Sequence, residues 1–428
     1  MRVLVLGSGG REHALCWRLA RSPSIDRLYC APGNPGTGAV AANVGIRVSD
    51  TEALLSLAVD EALDLVVVGP EAPLCDGIAD RFAAKGIPLV GPTRSAARLE
   101  GSKAFAKEFM ARHGIPTAAF GVFEDPAEAA RYIDGERGAR VIKADGLAAG
   151  KGVVVAGDAE EAKRAAAAML GGALGGAGRR IVVEERLEGE ELSLIALTDG
   201  ERIQVLAGCQ DHKALLDGDR GPNTGGMGAY SPAPLLRPAL LERAIRDVLE
   251  PTVRGMAADG APFRGFLYAG LMIRDDELRV LEFNCRLGDP ETQPLMLRME
   301  SDLAPHLLGA AAGKLPDEAI VWDPRVAVCV VLASREYPGE CRTGLPITGV
   351  SEAEGLAQVT VFQAATAEAG GQLVTAGGRV LGVTALGGDV AEARARAYDA
   401  ASRIHWEGVQ YRRDIGWRAL GAAPGSGA

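Results

Sequence analysis

Short, wholly apolar strands that each run into a glycine-rich turn constrain this chain most. Val3–Leu6 ends at Gly7, Leu65–Val68 at Gly69-Pro-Glu-Ala-Pro, and Ile87–Val90 at Gly91-Pro-Thr. Between them, Arg11–Arg21 fits a helix and Arg27–Cys30 a second strand. Continuous apolar strands separated by helices specify a parallel sheet covered on both faces. Ligands of such sheets lie beyond the carboxyl ends of the strands, where these turns fall.

The rest of the chain is of another kind. A helix over Leu99–Gly114 leads to a lysine-bearing strand, Arg140–Lys143, a glycine-rich turn, a strand at Gly152–Ala156, an alanine-rich helix and a strand at Ile181–Glu185. Gly171–Gly178 is expected to be a mobile loop, and the tail after Ala422 to be frayed. Beyond a break near Lys314-Leu-Pro-Asp, strands at Arg325–Ala333 and Val380–Ala385 open a last small domain. The 428 residues suffice for several domains at roughly 100–200 residues each.

Composition excludes whole classes of function. With 47% hydrophobic and 24% charged residues the chain is an ordinary globular one, not disordered, collagenous or coiled coil. No apolar run reaches the ~18–20 residues of a membrane span, and the start is too quickly glycine-rich for a signal peptide, so no membrane partner is expected. A net charge of −10 argues against a nucleic-acid partner. Seven scattered cysteines with no C-x-x-C pair read as reduced thiols in a cytoplasm. Only eight of the 46 cationic residues are lysines, so a lysine kept beside a glycine turn is notable, since a compact ammonium differs chemically from a guanidinium.

The first turn, Gly7-Ser-Gly9-Gly10-Arg11-Glu12-His13, leaves a strand and opens a helix, which aims backbone N–H groups at an anion. A dinucleotide fingerprint needs glycine where Glu12 stands and an acid where Ala31-Pro-Gly-Asn stands. A phosphate of another ligand fits better, and a turn glycine-rich only for packing is the plain alternative.

Val141-Ile-Lys143-Ala-Asp-Gly146-Leu-Ala-Ala-Gly150-Lys151-Gly152 is a strand, a small-residue turn and a strand. It is no Walker A loop, because no helix follows. Its amides can still fold over a triphosphate while Lys143 and Lys151 offset charge, unless the turn is merely solvated. Val183-Glu184-Glu185-Arg-Leu187-Glu-Gly-Glu-Glu191 leaves a strand as an acidic segment that could meet an adenine edge and ribose hydroxyls. In Glu277–Arg286, period two puts Glu282, Asn284 and Arg286 on one face, opposite Leu281, Phe283 and Cys285. Two oxygen donors and a guanidinium on one face suit Mg²⁺ bridging phosphates, or are simply a half-exposed polar edge.

Taken together, Gly-Ser-Lys103, Lys143-Ala-Asp-Gly with Gly-Lys151-Gly, Glu184-Glu185-x-Leu187 and Glu282-Phe-Asn284 resemble the ATP-grasp fold. More narrowly the chain resembles the glycinamide ribonucleotide synthetase family. The residues that carry this include Gly69-Pro-Glu-Ala-Pro-Leu, Gln210-Asp-His-Lys213, Gly221–Pro232, Glu282–Gln293 and Asp414-Ile-Gly-Trp-Arg. The resemblance implies a Rossmann-like parallel-sheet domain (1–100), a central ATP-grasp domain (101–119 and 188–312), a small mobile lid (120–187) and a small C-terminal α+β domain (313–428). It implies ligation of glycine to 5-phosphoribosylamine at the expense of ATP through a glycyl phosphate, by a monomer.

Carried over by position, Lys103 and Lys143 meet ATP phosphates and the turn Gly146, Gly150, Lys151, Gly152 covers them. Glu184, Glu185 and Leu187 line adenine, Glu191 the ribose, and Glu282 and Asn284 hold Mg²⁺ or Mn²⁺. Asp211, Lys213, Arg286 and Asp289 serve glycine and the amine, with Asp211 and Arg286 as catalytic candidates, and Gly9, Gly10 and Arg11 take the ribose phosphate. Leu267–Ile273 carries no acid where many proteins of this fold have a further metal ligand on that strand. Another ATP-grasp carboxylate–amine ligase and a catalytically inactive nucleotide-binding protein are the alternatives.

Overall fold

The computed structural model describes residues 1–136, 138–147, 152–173 and 175–420. Gly150 and Lys151, expected over the nucleotide, lie outside the described residues, as does the tail from Ala422.

β1 (Arg2–Gly7) is the middle of a fully parallel sheet, flanked by β2 (Arg27–Pro32) and β4 (Leu65–Val68), with β3 (Ala42–Asn43) and β5 (Leu89–Val90) at the edges. Its alternate residues enter two different cores. Leu4, Leu6, Val66 and Val68 face one, and Val3, Val5, Leu65 and Val67 the other. Burial on both faces is why these strands show no polar alternation. β5 is shorter than the Ile87–Val90 expected, because only Leu89 and Val90 find partners in β4.

The single helix expected over Leu99–Gly114 is two helices, Arg94–Gly101 and Lys103–Arg112. Ser102 breaks them with extended backbone (φ −139°, ψ 111°), and its hydroxyl accepts from the Phe105 amide at 3.1 Å. A serine that caps competes with the helix it would otherwise continue. The chain then enters a four-stranded antiparallel sheet of order β6 (Phe120–Phe123), β9 (Ile181–Glu185), β7 (Ala139–Ala144), β8 (Val153–Val155). Helices Pro126–Gly135 and Ala159–Ala168 pack on it through Ala129, Ile133, Ala162 and Ala166. Gly171–Gly178, expected as a mobile loop, includes turns at Met169–Ala173 and Gly175–Gly178, and Leu174 lies outside the described residues.

The central antiparallel sheet has β10 (Glu190–Thr198) and β16 (Gly265–Arg274) inside, with β11 (Ile203–Val205) and β17 (Glu277–Asn284) at its edges. A five-stranded antiparallel sheet follows in the order β12 (Gln210–Asp211), β15 (Gly228–Ser231), β18 (Val326–Ala333), β22 (Arg379–Gly387), β19 (Val359–Gln363). Hairpins β13 (Ala214–Leu216)–β14 (Arg220–Asn223) and β20 (Thr366–Ala369)–β21 (Gln372–Thr375) complete the strands. Two strands of that sheet come from the middle of the chain, so Asp211 and Lys213 stand where it meets the central sheet.

One core contains Leu4 and Leu6 of the parallel sheet together with Leu192, Leu194, Val280 and Phe283 of the central sheet. Packing the two sheets on a shared core brings the turns after β1 and β4 to the end of β17.

Candidate active site

β17 positions the centre of the site, and a bulge decides how. Gly270 pairs with Glu282 while Leu271 pairs with Val280, so Leu281 is an extra residue with no partner in the ladder. The bulge re-phases the strand. Leu278 and Val280 before it, and Phe283 and Cys285 after it, enter the same core, although simple alternation would separate them. Glu282 and Asn284 share the other face, as expected, but Leu281 is not a member of the apolar face. Its carbonyl accepts from Lys143 Nζ at 3.0 Å.

Glu282 is the electrostatic focus. Burial pushes its carboxyl up, but Lys213, Lys143, Lys103 and Arg286 more than offset that and hold it below the usual carboxylate range. The three lysines come from three elements: the start of helix Lys103–Arg112, β7, and the segment after β12. Lys103 is itself held below the ordinary lysine value by burial, with Glu282 opposing, and its Nζ donates to the Gly146 carbonyl at 3.3 Å. Gly152 is buried beside β8, its carbonyl accepting from the Ala144 amide.

Behind Lys143 lies a buried pair that no motif announced. Glu184 sits 3.0 Å from Lys143 and 2.9 Å from Lys107, and Lys107 Nζ also donates to Thr117 Oγ1 at 2.6 Å. Lys107 is only 2% exposed, and burial, opposed by Glu184, brings its ammonium down to about 8. Lys107 stands four residues after Lys103 on one helix, in a chain with eight lysines, and that spacing was the available signal. Glu185 points elsewhere, to Arg279 at 3.2 Å, and together they line a cavity of about 740 Å³ with Thr117, Phe120 and Tyr132. None of the lysines around Glu282 lines that cavity, so it is not where the phosphate chemistry would occur. Leu187 is half-buried just beyond β9.

Glu191, assigned to the ribose, is 2.5 Å from Lys213. Burial pulls Lys213 down, yet Glu191, Asp211, Tyr268 and Glu282 together hold it well above its ordinary value. Asp211 is 9% exposed and donates or accepts no side-chain hydrogen bond among the described residues. Burial, opposed by Lys213 and reinforced by Glu291, Glu191 and Glu282, pushes its carboxyl up to about 7. Glu291 is part of a closed triangle under this pair: its Oε1 accepts from Ser193 and Tyr268 at 3.0 Å each. His212, between the two, is structural. Its Nε2 accepts from the Gly416 amide, and burial brings the ring down to about 3.

Arg286 is more constrained than an open anion clamp. It is 3.3 Å from Glu71 and 2.9 Å from Glu100, and donates to the Leu287 carbonyl at 3.2 Å and to Asn284 Oδ1 at 3.5 Å. It therefore ties the turn after β4 and helix Arg94–Gly101 to the end of β17. Asp289 accepts from Gln293 at 2.9 Å and faces Arg379 at 3.2 Å; burial pushes it up, and Arg379 and Arg11 bring it below its usual value.

In the first turn the anion is the chain's own. Glu12 Oε2 accepts from the Gly9 amide at 2.6 Å and its Oε1 from Arg11 Nε at 2.7 Å. Gly69 explains itself here, for a Cβ there would collide with Glu12 Oε1. Arg11 also donates to the Leu287 carbonyl at 3.1 Å, and a Cβ on Gly9 would lie 3.6 Å from Asp289. A residue read only as excluding a dinucleotide thus fills half the cradle. Gly9, Gly10 and Arg11 nonetheless converge on Asp289 and Gln293.

Glu282 and Asn284 offer two oxygens on one face, with Glu282 ionised. Among the described residues no group of three or more His, Cys, Asp or Glu could cage a metal ion. Two protein oxygens suit Mg²⁺, which keeps waters and binds through phosphates, better than a closed metal cage.

Comparison with known proteins identifies the family. The chain matches the phosphoribosylglycinamide synthetase N domain over residues 1–100, its ATP-grasp (A) domain over 101–292 and its C domain over 327–418. It is 53% identical over 424 residues to phosphoribosylamine–glycine ligase of Vibrio cholerae, covering 98% of this chain and 99% of that one. The Escherichia coli ligase is 53% identical over 425 residues, at 98% and 99% coverage. Among solved structures, phosphoribosylamine–glycine ligase of Thermotoga maritima superposes with a TM-score of 0.84 at 37% identity over 97% of this chain and all of that one. A biotin carboxylase domain from Hydrogenobacter thermophilus shares the fold, at a TM-score of 0.72 and 17% identity, over 96% and 91% of the two chains. The chain belongs to the phosphoribosylglycinamide synthetase family and has its ATP-grasp architecture.

Proposed function

We propose that this protein joins glycine to 5-phosphoribosylamine, giving glycinamide ribonucleotide, ADP and phosphate. The observation that carries the reading is the convergence of Lys103, Lys143, Lys213 and Arg286 on the Glu282 carboxylate, in a chain of this family. Phosphoryl transfer needs positioning and charge neutralisation more than covalent help from the protein. In the first step the glycine carboxylate attacks the γ-phosphorus, ADP leaves, and a glycyl phosphate forms. In the second the amine attacks the acyl carbon, phosphate leaves, and a proton is lost from nitrogen.

Lys103 and Lys143 face the triphosphate, with Gly146 and Gly152 beside it, and Glu184, Glu185 and Leu187 mark the base end. Glu282 and Asn284 would hold Mg²⁺ or Mn²⁺, which when bound neutralises developing phosphate charge. Asp211, poised near neutrality by burial, is placed to take the proton from the attacking amine. Lys213 orients carboxylate charge beside it. Arg286 acts as a strut that also holds positive potential over the site. The ribose phosphate is assigned to the rim formed by Gly9, Gly10 and Arg11 next to Asp289, using donors that Glu12 leaves free. An acyl phosphate hydrolyses if water enters, which gives the β6–β9 sheet a role as a lid.

The decisive assay is ADP release with Mg-ATP, adding glycine and freshly generated phosphoribosylamine separately and together. Release only with both is the expected result. Release with neither, from folded protein that binds ATP, would show that the chain acts on another pair or has lost catalysis.

A further inference from the structure

Asp145, two residues beyond Lys143, has a partner for every polar atom. Its Oδ1 accepts from the Ser102 hydroxyl at 2.8 Å and the Ala104 amide at 2.7 Å. Its Oδ2 accepts from Arg180 Nε at 2.9 Å and Nη2 at 2.6 Å. Its carbonyl accepts from the Lys103 amide at 3.1 Å, and its amide donates to the Arg180 carbonyl at 3.0 Å.

These bonds solve a problem at the break after Gly101. A helix leaves its first amides without partners. In Lys103–Arg112 the amides of Lys103 and Ala104 are taken by Asp145, and that of Phe105 by Ser102. A carboxylate there also meets the positive end of the helix. The partners are not local: Asp145 directly follows β7 and Arg180 directly precedes β9 of the β6–β9 sheet, whereas the helix packs on the central core. The first residue of that helix, Lys103, returns its Nζ to the carbonyl of Gly146, the residue after Asp145. One aspartate thereby joins the start of the Lys103 helix to the strand that carries Lys143, and both lysines face Glu282.

We propose that Asp145 is a positioning residue for the nucleotide: it latches the lid sheet onto the N-terminus of helix Lys103–Arg112 and so sets the spacing of the two phosphate-facing lysines. This rests on the reading that Lys103 and Lys143 meet ATP. A misplacement of about 1 Å at a reacting group can cost roughly 10²-fold, so the latch acts through geometry without touching substrate.

The test measures the KM for ATP and for glycine, and the ADP dissociation constant, in Asp145→Ala, Arg180→Met, Ser102→Ala, Lys103→Ala and Lys143→Ala. Asp145→Ala is expected to raise the ATP KM and the ADP dissociation constant by about 10–100-fold, leaving the glycine KM within about twofold. Arg180→Met and Ser102→Ala, which cut the latch from its other sides, shift ATP binding in the same direction by several-fold. They carry the test if Asp145→Ala does not fold. Adding Asp145→Ala to Lys103→Ala should cost far less than its effect alone, because residues acting as one unit are not additive. Unchanged ATP binding in the folded latch variants, equal rises in both KM values, or full additivity would overturn the proposal. If Lys103→Ala and Lys143→Ala bind ATP normally, the assignment of the phosphate site has failed instead, and the latch with it.

Discussion

Glu282 is legible in sequence as a carboxylate on a polar strand face, yet its environment is not. Three lysines and an arginine from separate elements hold it ionised against burial. Glu282→Gln removes that charge at nearly constant volume, and kcat at saturating Mg²⁺ should fall by ~10²–10⁴. Near-normal turnover would move the metal assignment elsewhere. Lys107 tests a residue that no motif marked. Lys107→Met strands half of the Glu184 carboxylate in the core, and breaking such a pair costs about 3 kcal/mol or more. Urea unfolding should show that loss, whereas a midpoint matching the parent would mean that Lys143 alone satisfies Glu184. Of the expected site residues, Lys103, Lys143, Glu184, Glu282 and Asn284 are brought around one centre. Glu185 turns away to Arg279 because neighbouring residues of a strand face opposite sides.

Among the elements, the Leu281 bulge has the clearest consequence. Period two placed Glu282 and Asn284 on the polar face and Phe283 and Cys285 on the apolar face correctly but misplaced Leu281, since one unpaired residue shifts the phase of all that precede it. Deleting Leu281 should leave Val280 and Glu282 on their present faces and in their present pairings, and so spare the fold. It removes the carbonyl that receives Lys143. A hydrogen bond to a charged group contributes ~1.5–3 kcal/mol, so the ATP KM should rise about tenfold or more. An unaltered KM with intact secondary structure would show that the carbonyl does not aim Lys143. Helix Leu99–Gly114 failed as one element for a related reason. Ser102 is an acceptable helix residue until a neighbouring aspartate and its own cap make a break more favourable.

For the whole molecule, the parallel sheet is docked on the last sheet through His13 and Asn34. His13 Nδ1 accepts from the Gln363 amide at 2.8 Å, its ring stands edge-on to Phe362, and Asn34 donates to the Ser8 and Gln363 carbonyls. Burial, opposed by the Gln363 bond, brings His13 from an ordinary 6.5 down to about 4. Between those values the unfolded chain holds the proton and the folded chain does not. Stability therefore falls as pH falls through this window, by up to ~1.4 kcal/mol per pH unit from this one ring. Asp211 works in the opposite sense, since its folded form takes up a proton first. The clean readout is thus a difference: His13→Gln should flatten the acid limb of stability between about pH 6.5 and 4. Equal slopes in parent and variant would show that His13 is protonated in the folded protein.

Local chemistry written in consecutive residues was enough to read the parallel sheet, its glycine turns, the pairing of β7 with β8 and the polar face of β17, because a strand's apolar run and a turn's glycines answer to neighbours in the chain. Tertiary structure alone decided that Lys107 pairs with Glu184, that Arg286 is a strut, and that Asp145 caps a helix some forty residues earlier. Each of those is a charge wholly or partly withdrawn from water and seeking a partner. Burial makes the partner obligatory, but only the packing of distant elements determines which one lies within reach.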